Sequence, residues 1–125
     1  MKPYSVSAVI TTYNRKKWLE RAVCSVLQQT LPPDEIIVID DGSDDDTADM
    51  LHDKFPQLRY LWQKNQGISA ARNAGISKSR CAWIGFLDAD DIWAERKLAC
   101  QINAQRKSPD YRLCHTDEIG IRNGK

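Results

Sequence analysis

Asp88-Ala89-Asp90 is the stretch of this sequence with the clearest capacity for chemistry. In extended chain, residues i and i+2 point to the same side, about 7 Å apart. Asp88 and Asp90, with Asp91 adjacent, would then form a hard, anionic oxygen site. Mg²⁺ or Mn²⁺ takes oxygen ligands and usually keeps waters while binding substrate phosphates. One carboxylate plus a diphosphate is therefore a workable coordination set. The same residues also suit a solvated acidic turn that caps the next helix, and the tripeptide alone leaves both readings open.

Three further groups sit at comparable places. Asp40-Asp41-Gly42-Ser43 follows the apolar run Ile36-Ile37-Val38-Ile39. A carboxylate there can accept from a base N–H or a ribose hydroxyl; alternatively the segment is a capping turn, with Gly42 at positive φ and Ser43 as its structural residue. Tyr13 follows Thr11-Thr12 and can stack on a nucleobase or simply pack. Arg72 lies in Gly67-Ile68-Ser69-Ala70-Ala71-Arg72-Asn73-Ala74-Gly75 and carries a planar fork for phosphate or carboxylate, or for one of the Asp clusters. No Gly-x-Gly-x-x-Gly, P-loop or Gly-x-Ser-x-Gly motif is present, which removes support for the usual dinucleotide, P-loop and nucleophile-elbow readings.

The elements that must position these residues follow from hydrophobic periodicity. Residues 5–11 read as a strand. Trp18, Leu19, Ala22, Val23, Val26 and Leu27 recur at helical spacing within 16–29, and Leu31-Pro32-Pro33 ends that helix. The continuous apolar run at 36–39 is expected of a parallel strand buried on both faces. A helix capped by Ser43 or Asp44 runs to about Phe55. Strands over 58–62 and 82–87 alternate with helices over 67–78 and about 93–107. Residues 111–115 read as a fifth strand and 118–122 as a short sixth. Asn123-Gly124 is a hairpin signal followed by Lys125 alone, so the chain reads as cut short. This alternation implies βαβ units and an α/β, Rossmann-like, doubly wound, mostly parallel sheet. Ligands in such sheets bind beyond the carboxyl ends of the strands, where the polar groups above fall.

Composition sets the frame. A chain of 125 residues suits one domain, and 42% hydrophobic with 28% charged residues describes an ordinary globular one. A formal net charge of +1 argues against a dedicated nucleic-acid binder. No apolar run approaches the roughly 20 residues of a membrane span. The N-terminus turns to β-type sequence too soon for a signal peptide, and a cytoplasmic protein is expected. Cys24, Cys81, Cys100 and Cys114 are scattered and match no disulfide framework or zinc module, so they read as small buried apolar residues.

In series, these segments resemble family 2 of the glycosyltransferases, the inverting enzymes of GT-A fold. The matching elements are Val9-Ile10-Thr11-Thr12-Tyr13-Asn14, Ser25-Val26-Leu27-Gln28-Gln29-Thr30, Ile37 through Asp45, Asn65-Gln66-Gly67 through Gly75, and Phe86 through Asp91. They occur in the family's order and cover about residues 5 to 107. The resemblance implies a nucleotide-diphosphate-sugar donor, most often a UDP-sugar, and a saccharide or lipid-linked acceptor. It implies that Thr11 and Tyr13 flank the base, Asp41 holds the base edge, Arg72 lies near base and phosphates, and Asp88 contacts ribose. Asp90 would bind the divalent Mn²⁺ or Mg²⁺ that bridges the diphosphate.

The family's general base is an acidic residue further along. Asp117 and Glu118, the late acidic residues here, sit outside its motif and read as structural or acceptor-side. The expectation is then the donor-binding half of a catalytic domain, serving polysaccharide synthesis, cytoplasmic or peripheral to the inner face of the membrane, and able to form a homo-oligomer. A non-catalytic nucleotide-binding or scaffold module of the same fold is the alternative. A phospho-acceptor receiver domain fails because the first strand ends in Thr-Thr-Tyr-Asn instead of an acidic pair. A nucleotidyltransferase lacks its glycine-rich basic loop.

Overall fold

Alternation along the first strand divides the interior in two. A computed structural model describes residues 4–107 and 119–121. β1 (Val6–Thr12) is buried throughout. Ala8 and Ile10 face one core with Leu19, Ala22, Val23 and Val26 of α1 (Lys16–Leu27), Leu51 of α2 (Thr47–Lys54) and Leu98 and Ile102 of α4 (Lys97–Lys107). Val9 faces the other with Ile37 and Ile39 of β2 (Glu35–Asp40), Ala71 of α3 (Ile68–Lys78) and Ile84 of β4 (Trp83–Asp88). Each fully buried branched side chain contributes about 1.5–3 kcal/mol. The sheet is held from both faces, which is what permits the unbroken apolar sequence of β2.

The strand order is β3-β2-β1-β4-β5, with β3 (Arg59–Trp62) at one edge and β5 (Ile119–Ile121) at the other. β1, β2, β3 and β4 are mutually parallel, and β5 runs antiparallel to β4, Trp83 opposite Ile121. The expected doubly wound, mostly parallel α/β sheet is therefore present. Thr12 pairs with Asp40 and Thr11 with Asp88, so the three polar strand ends lie side by side. At Gly75 of α3 an added Cβ would stand 2.3 Å from Val9 Cγ1. The small residues of that helix are what bring it down onto the sheet.

The opposite end of the sheet is closed by a polar knot. Glu35 accepts from Ser7 Oγ at 2.5 Å, the Arg80 amide at 2.6 Å and Arg59 Nη1 at 2.9 Å. Burial alone raises the pKa of Glu35, but these donors more than reverse it and hold the carboxyl below its ordinary value.

Several details depart from the sequence reading. α4 begins at Lys97, not near Trp93, because the preceding backbone is tied to α1 instead of to itself. Trp93 N donates to Ser25 Oγ (3.1 Å), Gln29 Nε2 to the Ala94 carbonyl (2.6 Å) and Thr30 N to the Glu95 carbonyl (3.0 Å). α2 begins at Thr47 with Asp46 as its N-cap at φ 63, so neither Ser43 nor Asp44 caps it. Trp18 and Leu27, read as part of the apolar stripe of α1, lie at its edges and are exposed. Cys81 is buried as expected, but Cys100 is exposed and Cys24 half-buried. The strand expected at 111–115 lies outside the described residues, as do Cys114, Asp117 and Glu118. Among the described residues, no helix is long and apolar enough to cross a membrane.

Candidate functional site

Two loops are laced together beyond the carboxyl ends of β1 and β2. Asn14 N donates to Ser43 Oγ at 2.7 Å, Asp44 N to Asn14 Oδ1 at 2.9 Å, and Lys16 N to Asp45 Oδ2 at 3.2 Å. Asn14 takes φ 50 to make this turn. Gly42 takes φ +100, and a Cβ there would meet Asn65 N at 2.9 Å, so glycine is required on both counts. Asp40 is fully buried and works inside the protein, accepting from Ser43 N (2.8 Å) and from the Tyr60 hydroxyl. Burial, and then the Asp40 carboxylate, push the Tyr60 hydroxyl well above its ordinary pKa.

Asp41 lies on the floor between these loops and the segment that leads into α3. Its Oδ1 accepts from Gln63 Nε2 and Gln66 N, both at 2.9 Å. Its Oδ2 accepts from Gly67 N at 2.9 Å and Asn65 Nδ2 at 3.3 Å. Burial by itself raises this carboxyl's pKa. Donation from Gln63 and from the Gln66 and Gly67 amides more than reverses that, so the group is held ionised below the ordinary value. Asp41 thus organises residues 63–67 as well as lining the cleft.

Asp88, at the end of β4, accepts from Thr11 Oγ1 at 3.0 Å and from Arg72 Nη2 at 3.5 Å, both on Oδ1. The Arg72 guanidinium also lies 5.7 Å from the Phe86 ring centroid. Both partners of the Arg72–Asp88 pair are solvated, so the pair itself contributes little to stability. Asp90 is exposed, and its carboxylate has no hydrogen-bond or ion-pair partner among the described residues.

These strand ends enclose an open cleft of about 350 Å³. Of the residues singled out by sequence, Thr11, Tyr13, Asp41, Asp88 and Asp90 all line it. Arg72 is not among its walls and joins it through Asp88. Tyr13 presents an exposed ring. The walls also include Thr12, Arg15, Asn65 and Ile68, to which sequence reading gave no role. Asn65 belonged to a matching segment, but its contacts with Asp41 depend on loop geometry that spacing does not reveal. Arg15 follows the polar end of β1 directly, and only that adjacency could have pointed to it.

No cluster of three or more metal-ligating side chains occurs among the described residues. The donor set still fits a hard divalent ion completed by a ligand. Asp90 is an unpartnered, acceptor-only carboxylate at the cleft, beside Asp88, and Mg²⁺-type ions are commonly held by one or two carboxylates plus substrate phosphates.

A doubly wound sheet with an acid-lined cleft at its carboxyl ends is the arrangement of the GT-A fold, and the solved structures this chain aligns with share that fold. Crystal structures of S. aureus TarS 1–349, one of them in complex with UDP-GlcNAc, align with TM-scores of 0.73 at 23% identity, over 82% of this chain and 32% and 31% of theirs. A third, in complex with UDP, aligns at 0.69. A sequence profile described as glycosyl transferase family 2 matches residues 7–124, and the chain belongs to that family. It is 40% identical over 124 residues to a glycosyltransferase of Nostoc sp., covering 96% of this chain and 38% of that protein. It is 42% identical over 119 residues to the chondroitin synthase of Escherichia coli, covering 93% of this chain and 17% of the synthase. The chain thus spans well under half the length of either relative.

Proposed function

We propose that the cleft binds a nucleotide-diphosphate sugar, of which a UDP-sugar is the best candidate, for transfer of the sugar with inversion to an acceptor hydroxyl. One observation supports this above the rest: residues from the ends of three separate strands, Thr11, Asp41 and Asp88, converge with Tyr13 and Asp90 on a single cleft. The solved TarS complexes with UDP and UDP-GlcNAc share the fold and make this ligand class the natural choice.

In this reading Tyr13 offers its exposed ring to the base. Asp41, held ionised, offers acceptor oxygens at the base edge. Asp88, fixed by Thr11 and Arg72, accepts from a ribose hydroxyl. Asp90 would hold Mn²⁺ or Mg²⁺, which when bound supplies positive charge to the departing diphosphate. In the transfer the acceptor oxygen bonds to the anomeric carbon, the sugar–phosphate bond breaks with its electrons leaving on the nucleoside diphosphate, and the acceptor proton passes to a base. That base is assigned outside the cleft residues named here, and this chain is read as the donor-binding part of the reaction.

Calorimetric titration of the chain with UDP tests the reading. The expected result is binding at least tenfold tighter with Mn²⁺ than with a chelator, a difference of about 1.4 kcal/mol. Asp90→Asn should erase that difference. Equal affinity with and without metal would refute the metal assignment, and no binding under either condition would refute the donor assignment.

A further inference from the structure

Two polar side chains of the cleft, Arg15 and Thr12, have neither a role in this reading nor a bond to another described side chain. Arg15 is exposed and lines the cleft, and its guanidinium has no hydrogen-bond or ion-pair partner among the described residues. Arg72, by contrast, is already engaged by Asp88 and Phe86. The backbone on either side of Arg15 is pinned, since Asn14 and Lys16 both bond across to the loop after β2. Asn14 moreover holds a left-handed conformation uncommon for a residue with a side chain. Thr12 is only 4% exposed and lines the same cleft, yet its Oγ1 has no hydrogen-bond partner among the described residues. Buried hydroxyls without partners are rare in native proteins.

The start of α1 adds to the case. Arg15 stands at the N-cap without making a side-chain cap, Lys16 and Lys17 follow, and the first turn holds no acidic residue. Three cations therefore occupy the positive end of a helix dipole, where anions are the stabilising partners. The buried Thr12 hydroxyl is the unfavourable feature of this group, while the solvated Arg15 guanidinium beside it is free to bind. An anion in the cleft would meet both, at the positive end of α1, where of the first-turn amides Asp45 holds only that of Lys16.

We propose that Arg15 and Thr12 form an anion subsite for the donor diphosphate, the guanidinium meeting phosphate oxygens and the Thr12 hydroxyl donating to one of them. This rests on the nucleotide-sugar reading and adds to it a hold on the phosphates that needs no metal. A guanidinium matches phosphate geometry through paired N–H donors, so Lys at position 15 would restore charge but not the fork.

The test is calorimetry on the full chain with uridine, UMP and UDP, each in chelator and in Mn²⁺. Arg15→Ala should raise the Kd for UDP about tenfold in chelator, leave uridine within twofold, and be only partly rescued by Arg15→Lys. Thr12→Val should weaken UDP about threefold while raising the melting temperature of the unliganded chain, because it removes a buried polar group that has no partner. Unchanged UDP binding by Arg15→Ala, or an equal loss on uridine and UDP, would overturn the subsite. If the wild-type chain bound none of the three ligands, the nucleotide reading would fall and the subsite with it, an outcome distinct from wild-type binding that Arg15→Ala leaves intact.

Discussion

Replacing Asp41 by Asn removes a charge while keeping the shape of the side chain. The carboxylate accepts four hydrogen bonds, two from the Gln66 and Gly67 amides and two from the Gln63 and Asn65 side chains. An amide at this position would aim an NH₂ at groups that are themselves donors. Hydrogen bonds to a charged group contribute roughly 1.5–3 kcal/mol each. Residues 65–67 are exposed, so water can take over some of the freed donors. A net loss of about 2–4 kcal/mol is expected, a large share of the roughly 5–15 kcal/mol typical of a domain. The effect should also depend on pH. The folded carboxyl titrates below its ordinary value of 3.8, so its contribution is present in full above that value. It disappears as pH falls through the folded pKa. Asn does not titrate, and the gap between wild type and Asp41→Asn should therefore be widest near neutrality and close in acid. Urea unfolding followed by tryptophan fluorescence measures it, with m expected to be unchanged. A gap below about 0.5 kcal/mol at neutral pH, well short of the loss of even one such bond, would refute the reasoning. A gap that stayed constant into acid would refute it equally.

Two other perturbations probe how the site is carried. Gly75→Ala places a methyl 2.3 Å from Val9 Cγ1, so overpacking between α3 and the sheet should cost about 1–3 kcal/mol and lower the melting temperature by several degrees; an unchanged melting temperature would show that α3 can lift without cost. Gln29→Ala removes the donor to the Ala94 and Ser25 carbonyls and the acceptor for Leu98 N, and should cost about 2–4 kcal/mol. Because that clamp holds the segment after Asp90, hydrogen exchange across residues 91–98 should accelerate, and protection equal to wild type would argue against the clamp.

The sheet and its site were legible wherever a local pattern carried the information. The apolar run of β2 announced a parallel strand buried on both faces, residues 5–11 read as a strand, and the polar residues ending both marked the end of the sheet where the cleft lies. Gly42 was readable as a positive-φ position because few other residues fit such a turn. What escaped depends on contacts distant in sequence. The start of α4 was displaced because Ser25 and Gln29, some 65 residues earlier, capture the backbone at Trp93 and Ala94. Ser43 looked like a cap, but its hydroxyl accepts from Asn14 while Asp46 takes the N-cap position in a left-handed conformation. Trp18 fits the helical period yet sits at the edge of the stripe, where Arg21 stacks on its ring 5.4 Å from the centroid. Arg15 and Thr12 carry no motif of their own and become visible only when the strand ends are assembled around one cleft.

Whether the carboxyl-end cleft is a donor site is decided by a crystal structure of the chain with UDP and Mn²⁺. The expected result is uracil against Tyr13 and Asp41, ribose at Asp88, the metal on Asp90 and the diphosphate within reach of Arg15. A nucleotide bound elsewhere on the molecule, or in the cleft with its phosphates directed away from Asp90, would contradict it.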